Sequence, residues 1–219
     1  MIIPYCLIAQ TFSELKQLSE EGNAEAQYNL ALLYYKGDGV EMDKNQAFTW
    51  FEKAAENGVM YAQYNLGLMF EKGIGTERDD SRAEIWYMRA SQQDLADAQH
   101  ALGMMYYRGD CGAERCSSAI PWFELAALQG HADSQNMLGM MYQGGEGVIV
   151  DYQKALKWYR IAAKSGHAVA QFNLGWMYYY GRGVYENNSI AAYWVKKSME
   201  AGNVSAKEFW RHRNLEKYQ

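Results

Sequence analysis

The residues suited to acid–base or nucleophilic catalysis are few in this 219-residue chain, and their positions favour structural roles. His131 and His167 each follow a glycine at the same point of a repeated segment, which indicates a role near a helix start. Asp79 and Asp80 are adjacent carboxylates, but Asp79 occupies a helix-capping position in a turn. The sequence has neither a nucleophile elbow nor a glycine-rich loop after a strand. We therefore expect no enzymatic activity and no cofactor.

Three cysteines, Cys6, Cys111 and Cys116, form an odd set without a pairing framework, which favours a reducing compartment and hence the cytoplasm. Cys111 and Cys116 could form a local disulfide if the protein is exported. Because they supply only two of the four ligands of a structural zinc site, we expect no metal. The loop from Cys111 to Arg115 is either drift within one repeat or a distinctive contact for a partner.

Most of the remaining sequence follows a period of 36 residues without insertions. The motif Ala-Gln-x-x-Leu-Gly, or a close variant, begins at Ala26, Ala62, Ala98, Ser134 and Ala170. Tryptophan recurs at the same spacing, at Trp50, Trp86, Trp122, Trp158 and Trp194. The period also accounts for 18 of the 20 glycines, so most glycines and tryptophans are explained by repetition rather than by a ligand site.

Each unit contains two segments with the spacing of an amphipathic helix, here named helix A and helix B. In the second unit the apolar stripe of helix A is Ala62, Leu66, Met69 and Phe70, and that of helix B is Ala83, Trp86, Tyr87 and Ala90. Aspartate or asparagine precedes most B helices as a predicted N-cap, and a glycine column follows them as a predicted left-handed C-cap. In the third unit Pro121 predicts a shifted helix start capped by Ser117 or Ser118.

Composition and charge argue against two classes of partner. The formal charge is −5, and no window concentrates lysine and arginine as a phosphate-tracking surface would, so we expect no nucleic-acid partner. No apolar run approaches the roughly 20 residues that span a bilayer, so we expect no membrane insertion. The apolar segment from Met1 to Ala9 lacks a basic region and is interrupted by Pro4, which favours a terminal arm or strand over a degenerate signal peptide.

The repeat unit resembles the Sel1-like repeat, a relative of the tetratricopeptide repeat, through Ala62-Gln63-Tyr64-Asn65-Leu66-Gly67, Gly73-x-Gly75 and Ala83-x-x-Trp86-Tyr87-x-x-Ala90. The resemblance implies an all-α fold: a right-handed alpha-alpha superhelix, or alpha-solenoid, of five 36-residue helical hairpins. The expected organisation is an N-terminal arm and half-repeat capping helix over 1–23, repeats at 24–59, 60–95, 96–131, 132–167 and 168–203, and a C-terminal capping helix over 204–219.

In the related tetratricopeptide architecture, helix A lines the concave surface, so the resemblance directs attention to the helix A positions that point away from the apolar core. We name these fifteen residues the helix A stripe: Tyr28, Leu32, Tyr35, Tyr64, Leu68, Glu71, His100, Met104, Tyr107, Asn136, Met140, Gln143, Phe172, Trp176 and Tyr179. They are rich in aromatic residues and methionine, as surfaces that accept a partner's helix or loop often are. The alternative is that part of the stripe is buried between successive A helices.

The resemblance implies a non-enzymatic scaffold, a bacterial-type adaptor that binds a partner protein or peptide in the concave groove. Within the stripe, Tyr107, Trp176 and Tyr179 are the predicted binding hot spots. An alternative is a dedicated inhibitor or immunity-type protein that neutralises a toxin or enzyme, and a remote alternative is a hydrolase-like enzyme using His100. Self-association through the aromatic groove is a further hypothesis, and a periplasmic or secreted location is the alternative to the cytoplasm.

Overall fold

The computed structural model describes residues 12–108 and 113–218, with side chains omitted for 113–115. The described residues form twelve α-helices and a final 3-10 turn, with no strand among them. The bounds are α1 Phe12–Glu20, α2 Ala24–Lys36, α3 Lys44–Glu56, α4 Met60–Lys72, α5 Asp80–Ser91, α6 Ala96–Arg108, α7 Ala113–Leu128, α8 Ala132–Gly144, α9 Tyr152–Lys164, α10 Ala168–Tyr179, α11 Asn188–Glu200, α12 Val204–Arg213 and the turn Leu215–Tyr218. The prediction of an all-α fold built from five helical hairpins is confirmed.

The even-numbered helices α2 to α10 are the A helices, and the odd-numbered helices α3 to α11 are the B helices. The chain divides into two compact units, one ending at Ala98 and the other beginning at Gln99. Large side chains that are fully buried in the first unit include Leu30, Phe51, Leu66, Phe70 and Tyr87. Those of the second unit include Phe123, Leu138, Met141, Tyr159 and Leu174.

The helix starts confirm the predicted capping chemistry. Side-chain oxygens of Asp43, Asp79, Asp151 and Asn187 accept hydrogen bonds from first-turn amides of B helices. Two A helices use histidine instead: Nδ1 of His131 accepts from the Ser134 amide at 3.2 Å, and Nδ1 of His167 accepts from the Ala170 amide at 3.0 Å. Both histidines therefore have the structural role that their repeated position predicts.

Each B helix is followed by a residue in the left-handed backbone region wherever the structure describes it. Gly58 and Gly166 have φ values of +88° and +95°, and in the second repeat Asp94 takes the same region at +61°. Glycine reaches this region without the steric cost that a side chain brings, so Asp94 is the strained member of its column.

The third hairpin differs from the prediction. We expected its B helix to begin near Ser117 or Ser118, but α7 already begins at Ala113, so Pro121 lies inside the helix. A proline inside a helix removes one backbone donor and crowds the carbonyl oxygen four residues before it, so α7 carries a local cost at this position. The predicted loop from Cys111 to Arg115 lies outside the fully described residues, as does the arm from Met1 to Gln10.

Candidate partner-binding surface

The helix A stripe is neither fully buried nor fully open. Asn136 is buried and Met140 is 37% exposed, and the other thirteen residues are half-buried. On the other side of the A helices, small residues let B helices approach closely, since a Cβ at Gly139 would lie 2.4 Å from the Tyr159 ring. Most side chains of the stripe are therefore partly covered by the protein and partly open to solvent.

Three stripe residues meet at an open cavity between α2 and α4 in the first unit, here named the α2–α4 cavity. Its volume is about 310 Å³, and its lining residues are Leu32, Tyr35, Lys36, Phe51, Asn65, Leu68, Met69, Lys72 and Ile74. Leu32 and Leu68 occupy equivalent positions of successive repeats, so the cavity is a feature of repeat stacking rather than of one helix. Lys36 and Lys72 are not among the residues that the repeat pattern predicts for the binding surface, although both stand one position after a stripe residue.

Glu71 and Gln143 have structural partners that the sequence analysis did not anticipate. The Tyr87 hydroxyl donates to Oε2 of Glu71 at 2.7 Å, and the Tyr159 hydroxyl donates to Oε1 of Gln143 at 2.8 Å. In the first and third repeats the B helix carries phenylalanine, and the stripe position carries Tyr35 or Tyr107 with ring centroids 6.2 and 6.5 Å from that phenylalanine. In these four repeats, a hydrogen-bond acceptor thus occupies the stripe position where helix B carries tyrosine, and a tyrosine occupies it where helix B carries phenylalanine.

Tyr107 is tied to the turn after α8. Its hydroxyl donates to Oε2 of Glu146 at 2.6 Å. This hydrogen bond, followed by burial and the negative charge of Glu146, raises the pKa of Tyr107 to about 12. Tyr107 is therefore neutral at physiological pH, and its hydroxyl is engaged within the protein.

His100 lies in a polar cluster between α6 and α8. Its Nδ1 is 2.8 Å from the Ser134 hydroxyl, and its ring stacks on His131 with centroids 4.5 Å apart. Ser134 is fully buried, so its hydroxyl is not presented to a substrate. Beside them, burial opposes ionisation of Asp133, but a hydrogen bond with His167 at 2.9 Å and the neighbouring imidazoles leave the pKa of that carboxyl below its usual value.

At the C-terminal end, stripe residues pack against α12. Phe172 and Tyr179 lie 5.6 and 5.3 Å from the Phe209 ring, and Trp176 lies 4.8 Å from the Tyr180 ring, all measured between centroids. Of these two predicted hot spots, Tyr179 packs directly on the last helix, and Trp176 packs on Tyr180, whose ring lies 6.3 Å from that of Phe209. Phe209 and Tyr180 were missed because neither belongs to the stripe columns.

The remaining stripe residues lie mainly against neighbouring rings and core side chains. Tyr28 is 5.8 Å from the Phe51 ring, and Tyr64 is 5.7 Å from the Tyr87 ring. Met104 packs at the edge of the second unit's core. In the buried Asn136, Oδ1 accepts a hydrogen bond from Asn173 at 3.1 Å, so this side chain is committed between α8 and α10.

The whole-chain charge conceals an uneven distribution. Residues 1–151 contain 10 Lys and Arg against 22 Asp and Glu, whereas residues 152–219 contain 11 against 4. Helix α9 alone carries Lys154, Lys157, Arg160 and Lys164 and no carboxylate. The part of the chain from helix α9 onward is thus locally basic even though the chain as a whole is acidic. Within the described residues, no group of side chains suits a metal ion, and no helix is long and apolar enough to cross a membrane.

A family model described as Sel1 repeat matches residues 24–59, 61–95, 96–131, 132–167 and 168–203. Among solved structures, c5321, a protective antigen present in uropathogenic Escherichia coli strains and displaying an SLR fold, is 38% identical with a TM-score of 0.84. That match covers 90% of this chain and 42% of the antigen, so the chain spans less than half of its length.

A Sel1 repeat protein from Oxalobacter formigenes is 33% identical with a TM-score of 0.80, and the match covers 89% of this chain and 78% of that one. Immunity protein Pa5087 from Pseudomonas aeruginosa shares the fold at 22% identity and a TM-score of 0.54, over 86% of this chain and 72% of that one. A search of curated proteins gave no match.

Proposed function

Because this chain belongs to the Sel1 repeat family, we propose that it is a non-enzymatic scaffold that binds a partner protein or peptide along the helix A stripe. The observation that carries the proposal is the α2–α4 cavity, where Leu32, Tyr35 and Leu68 leave an apolar volume of about 310 Å³ open to solvent. Protein interfaces are enriched in aromatic and methionine side chains at their centres, and the stripe has this composition.

The two alternatives to an adaptor, a dedicated inhibitor and a hydrolase, have less support. The match to the immunity protein from Pseudomonas aeruginosa has 22% sequence identity, and this likeness extends to the fold alone. A dedicated inhibitor therefore remains the second hypothesis, and a toxin-like neighbouring reading frame would support it. The hydrolase hypothesis has the least support, because the Ser134 hydroxyl beside His100 is buried.

For the cellular compartment of the protein, the cysteines give two opposing indications. The odd cysteine count favours the cytoplasm. Against this, Cys116 is disulfide-bonded in the structure, and disulfides persist in oxidising compartments, which supports the periplasmic or secreted alternative. Cys6 and Cys111 both lie outside the described residues.

Site-specific photo-crosslinking tests the binding surface. A photoreactive amino acid replaces Met140, the most exposed stripe residue, in cells that express the protein natively. The matched control replaces Leu125, which is 46% exposed on helix α7 and therefore lies on a B helix of the same unit. We expect a cross-linked partner from position 140, identified by mass spectrometry, and none from position 125.

Cross-links from Leu125 alone would contradict the proposal, and a cross-linked dimer of the chain would favour self-association instead. Photo-crosslinking is preferable to alanine substitution of Trp176 and Tyr179. Because both residues lie in the ring cluster around Tyr180 and Phe209, their removal would alter folding together with binding.

A further inference from the structure

The α2–α4 cavity combines apolar walls with a positively charged edge. Leu32, Leu68, Met69 and Ile74 contribute aliphatic or thioether surface, and the volume of about 310 Å³ lies at the small end of ligand pockets. Apolar walls favour an apolar group from the partner, because only such a group removes their surface from water without leaving a polar atom unpaired.

Lys36 and Lys72 supply the charge. They are the last residues of α2 and α4, both line the cavity, and both are exposed. Among the described residues, neither lysine forms an ion pair with a carboxylate. Two cations beside an apolar cavity are complementary to a carboxylate that stands next to an apolar side chain.

The later repeats show that the fold does not require these lysines. The third repeat carries Arg108 at the equivalent position, but α8 ends in Gly144 and Tyr180 follows α10, so the fourth and fifth repeats carry no cation there. In the fifth repeat, the position of Leu68 is occupied by Trp176, whose ring centroid lies 4.8 Å from that of Tyr180. A lysine in the last turn does complement the helix dipole, but the equivalent helices α8 and α10 form without a basic residue there.

We propose that the α2–α4 cavity recognises an acidic, hydrophobic segment of the partner protein. One apolar side chain of the segment enters the cavity, and a carboxylate within one or two residues of it pairs with Lys36 and Lys72. This inference rests on the proposed function, because it names the partner chemistry of the same surface.

The test is selection of peptides from a phage-displayed random library on the immobilised full-length protein. Selected peptides are synthesised, and their dissociation constants are measured for the wild type and three variants. Lys36→Glu/Lys72→Glu reverses the charge at the cavity edge. Leu68→Trp fills the cavity with the side chain that the fifth repeat carries at the equivalent position, Trp176. Lys53→Glu is the control, because Lys53 is an exposed lysine of helix α3 in the same unit, 4.0 Å from the Trp50 ring.

The expected peptides carry Asp or Glu beside Leu, Ile, Phe or Met. We expect the charge-reversal and cavity-filling variants to bind them at least about tenfold more weakly, and Lys53→Glu to bind them as the wild type does. Higher salt should weaken wild-type binding, since the two lysines are exposed to solvent.

Different failures have different meanings. Peptides that lose affinity for Leu68→Trp but not for Lys36→Glu/Lys72→Glu would overturn the acidic partner and leave the proposed surface intact. Peptides unaffected by either change, or a selection that enriches none, would count against this cavity as a docking site altogether. Circular dichroism of each variant checks that the fold is retained.

Discussion

Gly139 shows how a single residue controls the packing of a hairpin. It lies within α8, and a Cβ built there would be 2.4 and 2.5 Å from two carbons of the Tyr159 ring. Tyr159 is almost completely buried, so its ring has little room to move away. Gly67 and Gly103 meet Tyr87 and Phe123 in the same way, at 2.7 and 2.6 Å. The glycine column of the repeat is therefore a steric requirement of the ring on helix B.

We predict that Gly139→Ala lowers the free energy of unfolding by about 1–3 kcal/mol, because the added methyl group overpacks the contact with Tyr159. The control is Gly144→Ala in the same helix, where a Cβ would meet only the flexible Glu146 side chain, at 3.2 Å. That change should be neutral or stabilising by up to about 1 kcal/mol. Urea unfolding followed by circular dichroism measures both, and equal stability of the two variants would contradict the steric explanation.

At the scale of the helix, a column of buried glutamines joins A helices to the helix that precedes them. Gln63 and Gln135 donate from Nε2 to the carbonyl oxygens of Ala55 and Ala127 at 3.1 and 3.0 Å. In the earlier repeats a further amide, 30 residues on, satisfies the glutamine oxygen; these donors are Asn57, Gln93 and Gln129.

The last two repeats lack that donor. Serine and alanine, Ser165 and Ala201, occupy the donor positions. Accordingly, Oε1 of Gln135 and Oε1 of Gln171 are buried without a hydrogen-bond partner among the described residues. A buried acceptor without a partner costs about 1–3 kcal/mol, so the B helix ends of these repeats are less well satisfied than those before them.

We predict that Ala201→Asn stabilises the protein by about 0.5–1.5 kcal/mol, because the new amide can donate to Oε1 of Gln171. Ala201 has φ −79° and ψ 7°, and Asn57, which makes the equivalent bond, has φ −79° and ψ 8°. The backbone is thus already in the required conformation. Ala201→Asp is the matched control, since a carboxylate has the same size but no N–H. A gain in the urea unfolding midpoint for aspartate as large as that for asparagine would refute the hydrogen-bond explanation.

At the scale of the molecule, the chain divides into two compact units, and each of them buries large apolar side chains. Repeat proteins are held together by contacts between neighbouring repeats, so a local defect need not reach distant ones. We predict that Gly139→Ala increases native-state amide exchange in α8 and α9 and leaves exchange in α2 and α3 unchanged. Mass-spectrometric hydrogen exchange distinguishes this result from an equal loss of protection throughout, which would indicate a single cooperative unit.

The sequence by itself determined the helices, their caps and their order. These features depend on residues within one turn or one repeat: Asp151 caps the helix that it precedes, and Gly166 takes a left-handed backbone where that helix has ended. Periodicity alone also showed that His131 and His167 are structural, since their position in the repeat is the same. Local chemistry was wrong at α7, which begins at Ala113 rather than near Ser117 or Ser118 and so contains Pro121. It was also wrong at the C-terminal cap, where the helix ends at Arg213 and a 3-10 turn follows.

Only the tertiary structure decided which side chains meet across repeats and how much of each remains open to solvent. The sequence placed Glu71 and Leu68 in the same stripe, but Glu71 accepts a hydrogen bond from Tyr87 whereas Leu68 borders the α2–α4 cavity. Lys36 and Lys72 were not predicted, because two helix ends become neighbours only when residues 36 positions apart are stacked side by side. Such contacts depend on the distances between side chains of stacked repeats, and the repeat period alone does not give those distances.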